Sequence, residues 1–363
     1  MDKTLKIKVG VTILDLDLFW LRDHCRCSLC YNESNANRIS DILEIPDDIS
    51  VKDYNIRCEK LIIEWIDDHK SEYKLKFLLK YQPLKVNPPK TEIHLWNKSS
   101  YETVKDNCRF SFDQFTADDD VRRQVLECIH VNGLVFIDGV DPTVESTEKV
   151  VTQLFPIQKT FFGEMFTFSE DAADHKDTAY TNTYLAPHND NTYFNDAAGL
   201  LVFHCIRHKG TGGESYFIDG AQVANKIKRE NPQAFKRLTT TIVGTDYKEA
   251  GRHHKWYAPM IILDPVTGEL MQIRYNMDDR LPLNTVVADK IRDFYSDLKL
   301  LTREFNDEQN QIKFKLNPGT VMLFDNWRLL HGRYAYTGNR CIAGCAVERT
   351  EFKSMLRINR IIE

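Results

Sequence analysis

The chain has 363 residues, 42% hydrophobic and 28% charged, with 48 Lys+Arg against 53 Asp+Glu for a net charge of −5. This composition excludes a disordered, collagen-like or disulfide-miniprotein chain, and the slight acidity argues against nucleic acid as the main partner. No apolar run approaches the ~18 residues of a membrane-spanning helix, so no membrane partner is expected. At about 150 residues per domain the length predicts two domains, or one large domain with a smaller attachment. Nine Cys is an odd number, so reduced thiols and metal ligation are expected before disulfides. The first ten residues carry Lys3, Lys6 and Lys8 but neither Arg nor Ser, and they alternate like a strand. That is a poor transit peptide. The expected location is cytoplasmic, or mitochondrial if a presequence is missing from this chain.

In chain order, Lys6–Leu14, Lys60–Trp65 and Tyr73–Phe77 read as short strands, with a Cys-rich turn between the first two. Residues 82–90 (Gln82-Pro-Leu-Lys-Val-Asn-Pro-Pro-Lys90) form the best linker, which gives domains of 1–90 and 91–363. Asp118, Asp119 and Asp120 open a helix with Val121, Val125 and Ile129 on one face. A buried strand follows at 133–137, then a helix over 143–155. From residue 178 onward short strands dominate: 200–206, 216–218, 261–263, 270–275, 314–316, 321–324 and 342–348. Helices interrupt them at about 220–238 and 287–306, the second amphipathic through Ile291, Phe294, Tyr295, Leu298, Leu301 and Phe305. Many short strands with Gly turns predict a mostly β protein with a jelly-roll core. GxGxxG, GxxxxGK[ST] and GxSxG are all absent from the sequence, so nucleotide-binding and serine-hydrolase readings lack support.

Three constellations carry chemistry. His188-Asn-Asp190, with His331 downstream, supplies two imidazoles and one carboxylate, the donor set of non-haem Fe(II) oxygenases with open positions for reactants. In a strand, residues i and i+2 point the same way, so His188 and Asp190 can aim at one point. Spacing alone is weak evidence, because His175-Lys-Asp177 repeats the pattern. Context favours the first copy: it precedes the strand 200–206, and His331 follows the strand 321–324, where a barrel mouth would lie. Arg340, nine residues after His331 across a turn at Tyr336–Asn339, can return to the site and clamp a carboxylate at two points. Cys25, Cys27 and Cys30, with His69 or the competing His24, make a Cys3His set that would be closed and structural. His253-His254 reads as a mobile polar loop, Lys226–Arg229 as a solvated helix face, and the remaining Cys mostly as core.

The chain resembles the carnitine-biosynthesis dioxygenases, the Fe(II)/2-oxoglutarate family of trimethyllysine and γ-butyrobetaine dioxygenases. The resemblance starts at Trp20-Leu-Arg-Asp-His-Cys25 and runs through Asp177–Thr181, His188–Phe194, Phe203–Cys205 and Gly210–Gly213. It ends in the long block Phe324-Asp-Asn-Trp-Arg-Leu-Leu-His-Gly-Arg333. It implies a small N-terminal zinc-binding β domain followed by a double-stranded β-helix with flanking helices. His188, Asp190 and His331 fall on the family's iron ligands, Arg340 on its 2-oxoglutarate arginine, and Ser215 near a second co-substrate contact. Cys25, Cys27, Cys30 and His69 match its zinc ligands. Phe162, Phe166 and Tyr180 fall on an aromatic cage for a quaternary ammonium. Ala346 stands where the family usually has a fourth ring, and Phe166 where it usually has tryptophan.

Asp177 and Asn276 fall on polar contacts at the substrate's other end. Asp177 is the residue type that pairs an α-ammonium in trimethyllysine dioxygenases. The implied activity is hydroxylation of ε-N-trimethyllysine at carbon 3, with O2 consumed, succinate and CO2 released, ascorbate as reductant, and a homodimeric state. The alternatives are γ-butyrobetaine hydroxylation, a paralogue acting on another cationic amine or betaine, and a turnover-dead amine-binding homologue.

Overall fold

The computed structural model describes residues 3–82, 93–169, 178–249 and 251–362. The chain divides into two compact units, 1–88 and 89–363. No helix of the described residues is long and apolar enough to cross a membrane.

The N-terminal unit begins with a hairpin, Thr4–Val9 against Thr12–Asp17. The sequence reads this stretch as one strand, but Gly10 adopts φ +60° and reverses the chain. Alternation then sends Leu5, Ile7, Leu14 and Leu16 into the core and their neighbours to solvent. Asp17 caps the short helix Leu18–Asp23, accepting from the Trp20 amide at 2.8 Å. A three-stranded sheet, Val51–Arg57, Lys60–Trp65 and Lys70–Lys74, completes the unit and buries Leu61, Ile63, Trp65 and Tyr73. The expected strand 73–77 stops at Lys74. Helix Leu75–Tyr81 takes over and turns Leu78 into the same core.

The larger unit packs two sheets face to face. The six-stranded sheet has the order Met165–Ser169, Asn339–Val347, Leu200–Lys209, Thr320–Asp325, Leu134–Asp138, Arg109–Ser111. The four-stranded sheet runs Leu185–His188, Leu329–Arg333, Ser215–Asp219, Gln311–Phe314. Pairing is antiparallel except between Arg109–Ser111 and Leu134–Asp138. Phe217 of the small sheet meets Phe324 of the large one edge-on at 4.9 Å, so their inner faces share one core. This is the jelly roll that the strand spacing predicts.

Helices cover the outer faces. Helix Asp119–Asn132 is fixed at both ends: Asp118 accepts from the Asp120 amide at 2.8 Å, and Gly133 at φ +83° stops it. Its residues Val125, Leu126 and Ile129 pack under the large sheet with Phe352 and Leu356 of the unexpected C-terminal helix Arg349–Ile358. The helix read over 220–238 is two, Gly220–Glu230 and Pro232–Thr240. Pro232 has no N–H to continue the ladder, and Asn231 caps the second helix instead. Together with Ile291–Asn306 they bury the outer face of the small sheet. The 253–254 stretch is no mobile loop. It lies in a hairpin, Val243–Glu249 with Arg252–Ala258, and His254 stacks on Phe161 at 5.1 Å.

Candidate active site

His188 and His331 are direct partners across the two adjoining strands, with ring centroids 4.3 Å apart. The strand ends at His188, so strand alternation does not place Asp190, contrary to the sequence argument. A turn does. Asn191 sits at φ +58°, and Asn326 grips the Asp190 backbone from both sides: its Oδ1 accepts from Asp190 N at 3.0 Å, its Nδ2 donates to Asp190 O at 3.1 Å. Asn189 points the other way and donates to the carbonyls of Asn326 and Leu329 at 2.7 and 3.0 Å. Both asparagines are buried and fully used, which makes the turn rigid. Neither was singled out in the sequence, although Asn326 lies in the Phe324–Arg333 block.

The turn brings Asp190 Oδ1 to 3.0 Å from His188 Nε2 and 3.7 Å from His331 Nε2. His188 Nδ1 is 2.8 Å from the Ala186 carbonyl, which places its proton there and leaves the Nε2 lone pair facing inward. Burial works against charge on Asp190, but the two imidazoles outweigh it and hold the carboxyl below its usual range. Burial and the nearby His188 push His331 down to about 3. Asp190 and His331 therefore favour the deprotonated forms a metal needs, and the three donors fit Fe(II) with open positions.

The triad opens into a cavity of about 460 Å³. Arg340 and Ser215 both line it. Arg340 is 8% exposed, and burial, then the like charge of Arg333, lower it to about 10. It has no carboxylate partner among the described residues. A buried guanidinium in that state is a ready site for an incoming carboxylate.

One face of the large sheet supplies an apolar wall. Phe166 and Phe168 come from one strand, Ile342, Gly344 and Ala346 from the next, and Leu201 and Phe203 from the third. Phe166 lies across Gly344: a Cβ there would sit 2.5 Å from its ring. Phe162 also lines the cavity, whereas Tyr180 is not a lining residue and packs edge-on against the lining ring Phe168 at 5.3 Å. Phe168, Phe203, Tyr193 and Tyr247 are lining rings the sequence reading missed. For Phe168 the signal was available, two residues along the strand from Phe166.

Asn276 lines the cavity beside Asp278 and Asp279, whose amides its Oδ1 accepts at 3.0 and 3.4 Å. Asp177 and the second HxD pattern at His175 lie outside the described residues.

In the N-terminal unit Cys25, Cys27 and Cys30 place their Sγ atoms 3.3, 3.6 and 3.5 Å from His69 Nε2. A tetrahedral zinc with ordinary bond lengths gives an S···N edge of about 3.6 Å, so these four donors fit one ion. His24 is not among the converging donors: its ring lies against Trp20, with Nδ1 2.7 Å from the Trp20 carbonyl. Arg22 donates to Cys30 Sγ at 3.7 Å and bridges to Asp67, which accepts from the His69 amide. Of the remaining cysteines read as core, Cys58 is exposed.

A jelly roll carrying two imidazoles and one carboxylate at its mouth defines a dioxygenase of the facial-triad type. Residues 97–346 match the family described as "Taurine catabolism dioxygenase TauD, TfdA family", and residues 2–79 match "Gamma-butyrobetaine hydroxylase-like, N-terminal". The chain is 34% identical to the mitochondrial trimethyllysine dioxygenase of Rattus norvegicus over 362 residues, covering 98% of this chain and 85% of that one. It is 32% identical to the trimethyllysine dioxygenase of Meyerozyma guilliermondii, covering 95% and 90%. Identity to the γ-butyrobetaine dioxygenase of Pongo abelii is 30%, covering 94% and 90%. Among solved structures, an asparagine oxygenase in complex with Fe(II), 2S,3S-3-hydroxyasparagine and succinate shares the fold. Its TM-score is 0.52 at 14% identity, over 70% of this chain and 86% of that one. The chain belongs to the family of trimethyllysine and γ-butyrobetaine dioxygenases.

Proposed function

We propose that this chain hydroxylates ε-N-trimethyllysine at carbon 3, consuming 2-oxoglutarate and O2 and releasing succinate and CO2. The observation that carries this reading is the pairing, in one cavity, of a convergent two-imidazole, one-carboxylate triad with a buried arginine that has no carboxylate partner among the described residues. His188, Asp190 and His331 hold Fe(II), which supplies O2 activation at the expense of the 2-oxo acid. Arg340 takes the distal carboxylate of 2-oxoglutarate, with Ser215 as a second contact. Phe162, Phe166 and Phe168 present ring faces and edges to a methylated cation, where cation–π attraction replaces water. Asn276 and the neighbouring Asp278 and Asp279 present polar groups suited to the amino-acid end. Packing around the buried walls excludes water and fixes which C–H faces the metal. The Cys3His set binds a structural zinc, because four protein donors leave no position for substrate.

Trimethyllysine is favoured over γ-butyrobetaine because the relatives named for it span the chain at up to 34% identity, and because the cavity carries acidic groups. The test measures succinate from 2-oxoglutarate with Fe(II) and ascorbate, offering each amine separately. Turnover dependent on trimethyllysine is expected. Turnover with γ-butyrobetaine alone overturns the substrate assignment, and silence with both, despite bound iron, points to another amine.

A further inference from the structure

Two buried arginines share one tyrosine ring beside the triad. Arg333 closes the strand Leu329–Arg333 two residues after His331, and Arg340 lies in the next strand, Asn339–Val347. Both line the cavity. Tyr336, from the loop between them, has its ring centroid 5.0 Å from the guanidinium carbon of Arg333 and 5.5 Å from that of Arg340. All three residues are buried. The two guanidinium carbons are therefore no more than about 10.5 Å apart, and like charges at that range away from bulk water repel.

The two guanidiniums are used differently. The Arg340 guanidinium has no hydrogen bond or ion pair among the described residues, its contact being the Tyr336 ring. Arg333 donates to the carbonyls of Ala179 at 3.1 Å, Thr181, and Thr183 at 3.1 Å. The Tyr336 amide donates to the Asn182 carbonyl at 3.0 Å. Two residues therefore hold four carbonyls of one short segment. That segment is a cavity wall at Thr178 and Ala179, and it presses Tyr180 onto the lining ring Phe168.

We propose that Arg333 and Tyr336 are positioning residues that couple the co-substrate to the substrate. The proposal rests on Arg340 as the 2-oxoglutarate anchor. A carboxylate on Arg340 offsets its repulsion with Arg333, and Arg333 then holds the 178–183 wall more firmly. The substrate site tightens as a result. Linkage makes the effect reciprocal: substrate on the wall tightens 2-oxoglutarate by the same factor.

The experiment uses the full chain loaded with Fe(II) under argon, so that both ligands bind without turnover. Calorimetry measures the affinity for trimethyllysine with and without saturating 2-oxoglutarate. In the parent protein 2-oxoglutarate is expected to tighten trimethyllysine about tenfold or more, and in Arg333→Gln by no more than about twofold. Arg333→Gln is also expected to weaken 2-oxoglutarate alone, because a cation that attracts the incoming carboxylate is gone, and to leave the affinity for trimethyllysine alone close to the parent. A merely damaged site would bind both ligands worse. Hydrogen exchange gives a second readout: 2-oxoglutarate alone should slow exchange around 178–184 in the parent and not in Arg333→Gln or Tyr336→Leu.

Parent-level coupling in Arg333→Gln, or equal weakening of both ligands, overturns the proposal. Arg340→Gln reports on the anchor separately. Unchanged 2-oxoglutarate affinity there refutes the anchor reading and the coupling with it. Weakened affinity there, beside parent-level coupling in Arg333→Gln, refutes the coupling alone.

Discussion

The two donor clusters of this chain use related side chains to opposite ends. At Cys25, Cys27, Cys30 and His69, four donors close around one point, and three of them come from a single turn. At His188, Asp190 and His331, only three donors converge, and they come from two strands and a turn braced by buried asparagines. The first cluster can staple a small unit whose own core is thin; the second leaves room for reactants beside a cavity. Donor number alone separates a structural site from a reactive one, and the surroundings agree. The closed cluster is braced by Arg22 and Asp67, the open one faces a cavity with an arginine that has no carboxylate partner among the described residues.

The sharpest way to break this comparison is to remove one donor from each. His188→Ala should abolish succinate production, a loss greater than the ~10–100-fold typical of removing an outer-shell partner. Its far-UV circular dichroism and proteolytic pattern should match the parent, because the ring lies at a strand end and not in the main core. Full activity in His188→Ala would sink the triad assignment. Cys30→Ser should do the reverse. Structural zinc contributes about 10–16 kcal/mol in small metal-dependent domains, so its loss should expose residues 1–88 to protease first. Cleavage beginning instead within the jelly roll would show that the cluster does not hold the N-terminal unit.

A smaller effect separates a ligand histidine from a merely buried one. His204 lies in the strand Leu200–Lys209, unexposed, with Nδ1 2.7 Å from Thr147 Oγ1 and no partner on Nε2 among the described residues. Burial lowers it from 6.5 to about 4. Above pH 6.5 it is neutral in folded and unfolded chains and contributes nothing to pH dependence. Between 6.5 and about 4 the unfolded chain takes the proton while the folded one does not, so stability falls as pH falls. His204→Gln should flatten part of that acid slope in urea titrations from pH 7 to 4.5. An unchanged slope would mean that other groups set the acid limit.

What could be read from the sequence followed from how local each feature is. Asp118 before an amphipathic run and Gly133 after it mark a helix without reference to the rest of the chain. The alternating 60–65 strand was equally plain. The donors were found because their side-chain chemistry is rare and their motifs are compact. His69, thirty-nine residues beyond Cys30, needed resemblance, and it is the histidine whose Nε2 lies within 3.6 Å of all three sulfurs. Hidden features were those set by tertiary context. The hairpin at 243–258 mixes charge and aromatics with no clean period, and the turn that aims Asp190 depends on Asn326, 136 residues away. Cavity rings such as Tyr247 became visible only once that hairpin was placed.

The smallest effect tests the apolar wall itself. Phe168 lines the cavity beside Phe166, their centroids 5.0 Å apart, and it contacts Phe203 and Tyr180 edge-on. If the wall receives a methylated cation, Phe168→Leu keeps most of the buried apolar area and loses the ring quadrupole. A desolvated cation–π contact is worth about 1–2 kcal/mol, so KM for trimethyllysine should rise roughly 5- to 30-fold. The KM for 2-oxoglutarate should stay put, since Arg340 and Ser215 are untouched. Phe168→Tyr, which keeps the ring, should restore the KM. A loss shared equally by Leu and Tyr variants would make Phe168 a packing residue and move the cation to the rings of Phe162, Tyr193 and Tyr247.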